Sequence, residues 1–364
     1  MARQENMMGI GAPPDDVSDR PAWRLEDDFD FVVDSVGEGW AAMRGARVFI
    51  TGGTGFVGRW LLETLSRAEQ RRALDIKAMV LTRDVARFRA KAAHLADDPM
   101  FEFVAGDVTS MAPPSGEFTH IVHAATDSGT DLHISDPLKM FDTVVAGTRR
   151  VLDFAVERKV KRVLFLSSGA VYGPQPFEIS HQREVWAGGP NFSDPRHAYA
   201  EGKRAAEMLC GIYARQSGIE VTTARIFALV GPFLSLDAHF AIGNFIRDAI
   251  AGKKVVVHSD GRALRSYLYA ADLAAWLWSM LARAPRDSHY NVGSEEAISI
   301  RDLAARVAQV VGTGEYEVLG KPDGNWNPGR YVPSTERIRT ELGLTAKVSL
   351  NDAIWRTAMW SRPR

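Results

Sequence analysis

The sequence predicts an α/β fold, a doubly wound parallel sheet joined to a smaller, discontinuous second lobe. Three observations carry this. Short apolar strands alternate with helical segments up to about residue 230. A strand, a glycine turn and a helix succeed one another within Arg47–Leu65. Beyond Gly231 the alternation breaks into shorter pieces separated by polar, glycine-rich loops.

The elements follow in order. Residues 1 to about 20 hold Pro13-Pro14, several acids, Gly9 and Gly11, and no apolar core of signal-peptide length, so they read as flexible. Residues 24–45 carry Leu25, Phe29, Phe31, Val32, Val33 and Trp40 between acids, as a short helical extension packing on the sheet domain or on a partner subunit would. Strands are expected at Val48–Thr51, Ala78–Leu81, Phe101–Val104, His120–His123, Val163–Ser167 and Thr222–Ile226. Helices are expected at Val57–Ala68, Ala86–Ala96, Pro137–Arg158 and Ala198–Arg215. Gly173–Pro195 reads as a loop over the site. Ala241–Ala251 reads as a helix and Val255–Val257 as a strand, with Tyr290–Gly293 and a helix opened by Ser299 and Asp302 completing the second lobe. The domains are then 1–45, 46–230 for the sheet domain with its loop 173–195, and 231–364 mainly for the second lobe, interleaved with the first.

Two clusters carry chemistry. In Thr51-Gly-Gly-Thr-Gly-Phe-Val-Gly58, glycines permit a tight bend, close backbone approach to a pyrophosphate and close helix packing. The following helix presents its positive end to phosphate. Tyr199 and Lys203 stand four residues apart on one helix face. A phenol with a pKa of about 10 is a poor base at neutral pH. A lysine ammonium one turn away favours the phenolate, which can then take a proton from a substrate hydroxyl while hydride leaves the same carbon. Ser168, at the end of an apolar strand, can bond the same oxygen.

At these residues the chain resembles the extended short-chain dehydrogenase/reductase family, in its nucleotide-sugar epimerase/dehydratase branch, from about Arg47 to about Trp360. The resemblance implies a Rossmann domain in which Gly52, Thr54, Gly55, Phe56 and Val57 meet the cofactor. It places Asp107 and Val108 of Gly106-Asp-Val at the adenine, and Ala124 and Ala125 of His123-Ala-Ala beside the cofactor. It makes Ser168, Tyr199 and Lys203 catalytic, the last two also touching cofactor. Arg265, in Arg265-Ser-Tyr-Leu-Tyr269, and Arg330, in Asn327-Pro-Gly-Arg-Tyr331, become the candidates for a substrate diphosphate, since guanidinium forks suit phosphate oxygens. Asn244 and Thr126 join the substrate side, with Ser168. Family members often have Asn where this chain has Ala228. Helices 137–158 and 198–215 would form a four-helix homodimer interface.

Composition narrows the classes. The 364 residues carry a net charge of −1, which gives no basic field for nucleic acid, so a nucleotide-sugar must be held by a few local arginines. The longest apolar stretch, Leu273–Leu281, is far below a membrane span. The single cysteine, Cys210, excludes an intramolecular disulfide and a cysteine-built zinc site, reads as a packed thiol, and fits a reducing cytoplasm; no metal is expected.

The missing residues rank the reactions. Dehydratases of the branch carry Asp-Glu directly after the catalytic hydroxyl residue, where this chain has Gly169 and Ala170, and its UDP-glucuronate decarboxylases carry a glutamate at the Ala170 position. Reversible hydride transfer needs neither acid, so epimerisation ranks first, decarboxylation second, and an unusual dehydratase or an NADP-dependent carbonyl reductase after them. A non-catalytic nucleotide-binding protein is the other class, disfavoured by the retained Ser168, Tyr199 and Lys203. Thr126, Asp127 and His181 are loop candidates for substitute proton chemistry, each more simply read as a loop cap or a solvated side chain. NAD and NADP stay open. Thr82 replaces the usual ribose-binding acid and Arg83 suits a 2′-phosphate, whereas Asp84 lies close enough to serve the ribose.

Overall fold

The computed structural model describes residues 22–126, 135–238, 240–312, 314–322 and 329–363. The expectations for residues 1–21 and for Asp127 lie outside the described residues.

Six parallel strands are β1 (Arg47–Thr51), β2 (Lys77–Thr82), β3 (Phe101–Ala105), β4 (His120–His123), β5 (Arg162–Ser168) and β6 (Glu220–Ile226). Their spatial order is β6-β5-β4-β1-β2-β3, so the chain reverses direction between β1 and β4, and ligands of such sheets sit at the carboxyl ends there. A seventh strand, His289–Val292, runs parallel beside β6. That differs from the reading that gave this segment to the second lobe. Tyr290 and Val292 are fully buried, and the sheet edge covers them better than a small lobe would.

The expected helices form, with one difference. The segment after β2 is two pieces, Val85–Lys91 and Ala93–Ala96, broken at Ala92, whose φ of −153° leaves helical geometry. Helices Pro137–Glu157 and Ala198–Ser217 pack together on one face of the sheet. On the other face lie Phe56–Arg72 and Ala270–Arg283. The second of these is apolar nearly all round and buried throughout its central turns, as a helix between a sheet and a covering layer must be.

That covering layer is the N-terminal extension, whose helix Leu25–Val36 buries Val32, Val33 and Val36 against Ala270–Arg283 and Phe56–Arg72. Asp28 is buried there and accepts hydrogen bonds from Trp23 Nε1, Tyr269 Oη and Arg356, which belongs to the C-terminal helix Leu350–Ser361. The extension therefore packs on its own sheet domain. Among the described residues no helix is long and apolar enough to cross a membrane.

The second lobe is built from helix Ala241–Ile250, helix Ile300–Val311 and small sheets. In one of these, Leu264–Arg265 pairs in parallel with Arg330–Tyr331, setting Tyr331 opposite Arg265. Ser299 caps its helix by accepting from Asp302 N at 3.0 Å.

Candidate active site

The cofactor wall grows from the end of β1. Gly52 has φ +72°, and a Cβ there would lie 2.5 Å from the Ala124 backbone, so the turn presses on the end of β4. A Cβ on Gly58 would lie 2.3 Å from the Gly52 carbonyl oxygen, which fixes how closely helix Phe56–Arg72 sits on the turn. Gly55 differs. Its φ is ordinary, and a Cβ would meet only Gly52 O at 3.5 Å. Nothing in the protein requires glycine at that position, yet it is the N-cap residue of a helix whose first amides no side chain caps. Space and open N–H groups together fit a pyrophosphate.

The rest of this wall is pinned from behind. His123, buried between Thr51 and Thr148, bonds Thr51 Oγ1 through Nδ1 at 2.7 Å and Thr148 Oγ1 through Nε2 at 3.0 Å. Burial, and secondarily the Lys203 charge, lowers its pKa to about 3, so it is a neutral strut. Ala125 N donates to Thr51 Oγ1 at 3.2 Å, which holds Ala124 and Ala125 against the turn. Asp107 accepts from Thr109 N and Oγ1, and these bonds, with Arg83 and Lys139 nearby, hold its carboxyl below the usual range. Val108 is buried against Gly147. Thr82 ends β2 with its hydroxyl 3.1 Å from Thr54 Oγ1. Asp84 caps the next helix, accepting from Arg87 N at 2.8 Å.

On the substrate wall, Ser168 ends β5 and Tyr199 and Lys203 face it from helix Ala198–Ser217. Ser168 hydrogen-bonds Tyr199 and accepts from Ala170 N at 3.2 Å. Lys203 is buried, donates from Nζ to Leu166 O at 2.7 Å and lies 5.9 Å from the Tyr199 ring centroid. The electrostatics correct the simple expectation for the pair. Burial raises the Tyr199 pKa and the Ser168 bond lowers it only in part. Burial also brings Lys203 down to about 8. Lys203 is engaged with a backbone carbonyl and lies against a ring face, and in the chain alone it does not turn Tyr199 into a phenolate. Cys210, two turns beyond Lys203, is a buried thiol whose pKa burial pushes up, which suits packing and not nucleophilic attack.

The remaining candidates divide. Thr126 Oγ1 is buried and has no hydrogen-bond partner among the described residues, an orphan that a ligand can satisfy. Arg265 NH1 donates to Leu264 O at 2.8 Å. Arg330 NH1 donates to Ser180 O at 3.1 Å and its Nε has no partner among the described residues. Asn244, on the first turn of Ala241–Ile250, accepts from Arg247 at 3.3 Å. His181 uses both ring nitrogens, on Ser180 Oγ and Glu295 O, and so pins a loop.

Two groups escaped the sequence reading. Glu207 accepts from Ser167 Oγ at 2.6 Å and takes Arg225 in a bidentate pair, bracing the end of β5 from behind. Its position four residues beyond Lys203 was the available signal. Tyr331 lies beside Ser168, 163 residues away in sequence, and only the pairing of Arg330–Tyr331 with Leu264–Arg265 brings it there.

Residues 48–293 match the model of the NAD dependent epimerase/dehydratase family. The chain belongs to that family. It is an enzyme of the NAD-dependent, nucleotide-sugar epimerase/dehydratase class. It is 30% identical over 316 residues to UDP-glucuronic acid decarboxylase 1 of Xenopus tropicalis, covering 87% of this chain and 72% of that protein. It is 29% identical to UDP-glucuronic acid decarboxylase 6 of Arabidopsis thaliana, covering 85% and 86%. Among solved structures, a dTDP-glucose 4,6-dehydratase of Streptomyces venezuelae with NAD bound superposes with a TM-score of 0.75 at 26% identity, covering 87% of this chain and 97% of that one. A UDP-glucose 4-epimerase of Thermotoga maritima shares the fold, with a TM-score of 0.72 at 19% identity over 87% and 98% of the two chains.

Proposed function

We propose that this enzyme oxidises one hydroxyl of a nucleotide-diphosphate sugar to a ketone and then returns the hydride to the other face, so that the net reaction is epimerisation, with C4 as the reacting carbon. Bound NAD or NADP supplies the hydride acceptor. Tyr199 takes the hydroxyl proton, Ser168 holds the same oxygen, and Lys203 stabilises the phenolate once the site is closed from water. Thr126 bonds a sugar hydroxyl, while Arg265 and Arg330 take the diphosphate. The observation that carries this reading is that the two positions after Ser168, where an acid pair would stand, carry no carboxylate. Ser168 is followed by Gly169 and Ala170, and the space over Gly169 is filled by Tyr331 and Phe227, so nothing there removes a C5 proton or expels water from C6.

A second reading, decarboxylation, is favoured by the relatives named above. A 4-keto uronate loses carbon dioxide without a strong base, so Ala170 weakens that route less than it weakens dehydration. We also propose a homodimer through the two packed helices, whose outer faces leave Leu138 71% and Met208 67% exposed.

Mass spectrometry of products from UDP-, GDP-, CDP- and dTDP-sugars, uronic acids included, tests the reading. An isomer of unchanged mass is expected, and Tyr199→Phe should abolish it, a loss of about 10²–10⁴-fold for a removed acid–base group. Loss of carbon dioxide would select the second reading, and loss of water would overturn both.

A further inference from the structure

A cavity of about 650 Å³ lies at the opposite end of the sheet from the candidate active site. The amino ends of β4, β5 and β6 border it through His120, Arg162 and Glu220, together with the chain just after helices Pro137–Glu157 and Ala198–Ser217. A volume of this size suits a small molecule. His120 opens β4 and Ala124 follows its end, so about 13 Å of strand separates the cavity from the cofactor wall.

The protein as a whole carries a net charge of −1, yet this cavity is cationic. Arg44, Lys159, Lys161 and Arg162 line it, and among the described residues Glu220 is the one acid that does. Arg162 pairs with Glu220 at 2.9 Å. Arg44 bonds a backbone carbonyl, Ala73 O, at 2.7 Å. The ammonium groups of Lys159 and Lys161 have no ion pair or hydrogen bond among the described residues. Cations commonly stand at helix C-termini to answer their negative ends, but here the end carbonyls are already taken. Val160 N donates to Ala155 O at 2.8 Å, Lys159 N to Val156 O at 3.1 Å, Gly218 N to Ala214 O at 3.1 Å and Arg162 NH1 to Leu281 O at 3.2 Å. Lys159 itself has φ +54°, the left-handed position that ends its helix and that glycine fills most easily. A lysine standing there with its ammonium unpaired points to a use for the charge.

A buried donor completes the wall. His120 is only 9% exposed, lines the cavity, and has no partner for Nε2 among the described residues. The Thr119 hydroxyl accepts from Arg47 N at 3.0 Å and lies 2.8 Å from His120 Nδ1 but 3.3 Å from Arg47 O. Its proton goes to the nearer acceptor, so Nδ1 accepts and Nε2 carries the ring proton. Burial, and then the Arg162 and Lys161 charges, bring the His120 pKa down to about 4, so the imidazole is neutral in the empty cavity.

We propose that this cavity binds a small anion bearing two or more phosphates, with Lys159 and Lys161 on the phosphate oxygens, Arg44 at the rim and His120 Nε2–H donating from the floor. A single phosphate brings a charge of about −1.5 to −2, less than the three cations that no lining acid balances, so a diphosphate unit matches them better. The site stands apart from the proposed reaction and does not depend on it.

Inorganic pyrophosphate is the probe, titrated calorimetrically into protein saturated with NAD and UDP so that the diphosphate positions of the other site are filled. Saturable binding is expected, weakening as salt rises. NMR of ¹³Cε1-labelled histidine, with His120 assigned through His120→Gln, should show its titration moving up from about 4, because a bound anion favours the imidazolium. Lys159→Gly combined with Lys161→Gln should weaken pyrophosphate at least about ten-fold and leave NAD and UDP affinities unchanged. Its unfolding temperature should not fall below that of the wild type, since glycine relaxes the left-handed position. If the double variant unfolded early, Lys161→Gln alone, at an exposed side chain, would make the same comparison with a loss of several-fold expected. Unchanged affinity in these variants would overturn the proposal, because pyrophosphate would then be held elsewhere. So would the absence of saturable binding at millimolar pyrophosphate, or binding that left the His120 titration unmoved.

Discussion

The two sides of the proposed site are built in opposite ways. The proposed cofactor wall comes from one stretch of 13 residues, Arg47–Arg59, plus the strand ends beside it, and two of its glycines, Gly52 and Gly58, press directly on backbone. The proposed substrate wall is assembled from Ser168, Tyr199, Arg265 and Tyr331, which lie on four separate elements. A wall made by one local motif tolerates little change inside the motif and much change elsewhere. A wall assembled from distant pieces can exchange one side chain for another that fills the same space. That is how a phenol comes to stand over Gly169 with the oxidation set intact.

The largest expected effect tests the first wall. Gly58→Ala drives a Cβ into the Gly52 carbonyl at 2.3 Å and the Gly53 backbone at 2.4 Å, so the helix must lift off the turn. Overpacking against backbone of this kind costs about 3 kcal/mol, and cofactor binding should vanish with it. Gly55→Ala meets nothing closer than 3.5 Å. Its unfolding temperature should stay near that of the wild type, while calorimetric titration shows cofactor affinity down at least about ten-fold, since only the ligand needs that space. If Gly55→Ala bound cofactor normally, the division of labour between the glycines would be wrong.

A medium effect tests the second wall. Lys203 is buried with its pKa lowered to about 8. The unfolded chain holds this proton up to about pH 10.4. Between the two values the unfolded state binds more protons, so this group's contribution to stability rises with pH across that window and is lost as pH falls through about 8. Below that, the folded protein carries a buried ammonium whose desolvation is only partly offset by Leu166 O. Lys203→Met should therefore abolish turnover and yet raise stability at pH 7 by about 1–2 kcal/mol, after the lost hydrogen bond is subtracted. Thermal unfolding from pH 6 to 10 should show that gain shrinking as pH rises. A variant less stable than wild type throughout would mean that the lysine is a structural residue.

The same contrast explains what was legible in the sequence. The strand–turn–helix motif, the six strands up to β6 and the Tyr199–Lys203 pair depend on periodicity within about 20 residues, and they can be read directly. The seventh strand could not, because its burial depends on a sheet edge formed by β6. The carboxylates absent at Gly169 and Ala170 were visible, but the group filling the space was not, since no local pattern links Tyr331 to Ser168. The ionisation of the pair is hidden from the sequence for a related reason. Spacing reports that a lysine lies near a tyrosine, whereas the pKa values follow burial, which raises Tyr199 and lowers Lys203. Chemistry set by sequence neighbours is readable, and chemistry set by desolvation needs the assembled core.

The smallest effect concerns the far end of the cofactor wall. An acid closing the second strand would accept from both ribose hydroxyls and repel a 2′-phosphate. Here that place is held by Thr82, already 3.1 Å from Thr54 Oγ1. The neighbouring acid, Asp84, is committed to capping its helix through Arg87 N. Arg83 is exposed and stands near enough to Asp107 to lower its carboxyl, which places its guanidinium at the rim of the adenine end. With no uncommitted acid at this strand end, the wild type should bind NAD and NADP with affinities within about ten-fold of each other. Thr82→Asp should shift that ratio toward NAD by about ten-fold, the scale of one charge-assisted hydrogen-bond pair, and Arg83→Ser should weaken NADP by a similar factor while leaving NAD unchanged. Paired titrations of both cofactors against the three proteins read this directly. An Arg83→Ser variant that lost NAD and NADP equally would show that the arginine serves the adenine and not the 2′ position, and would leave Thr82 alone to set the preference.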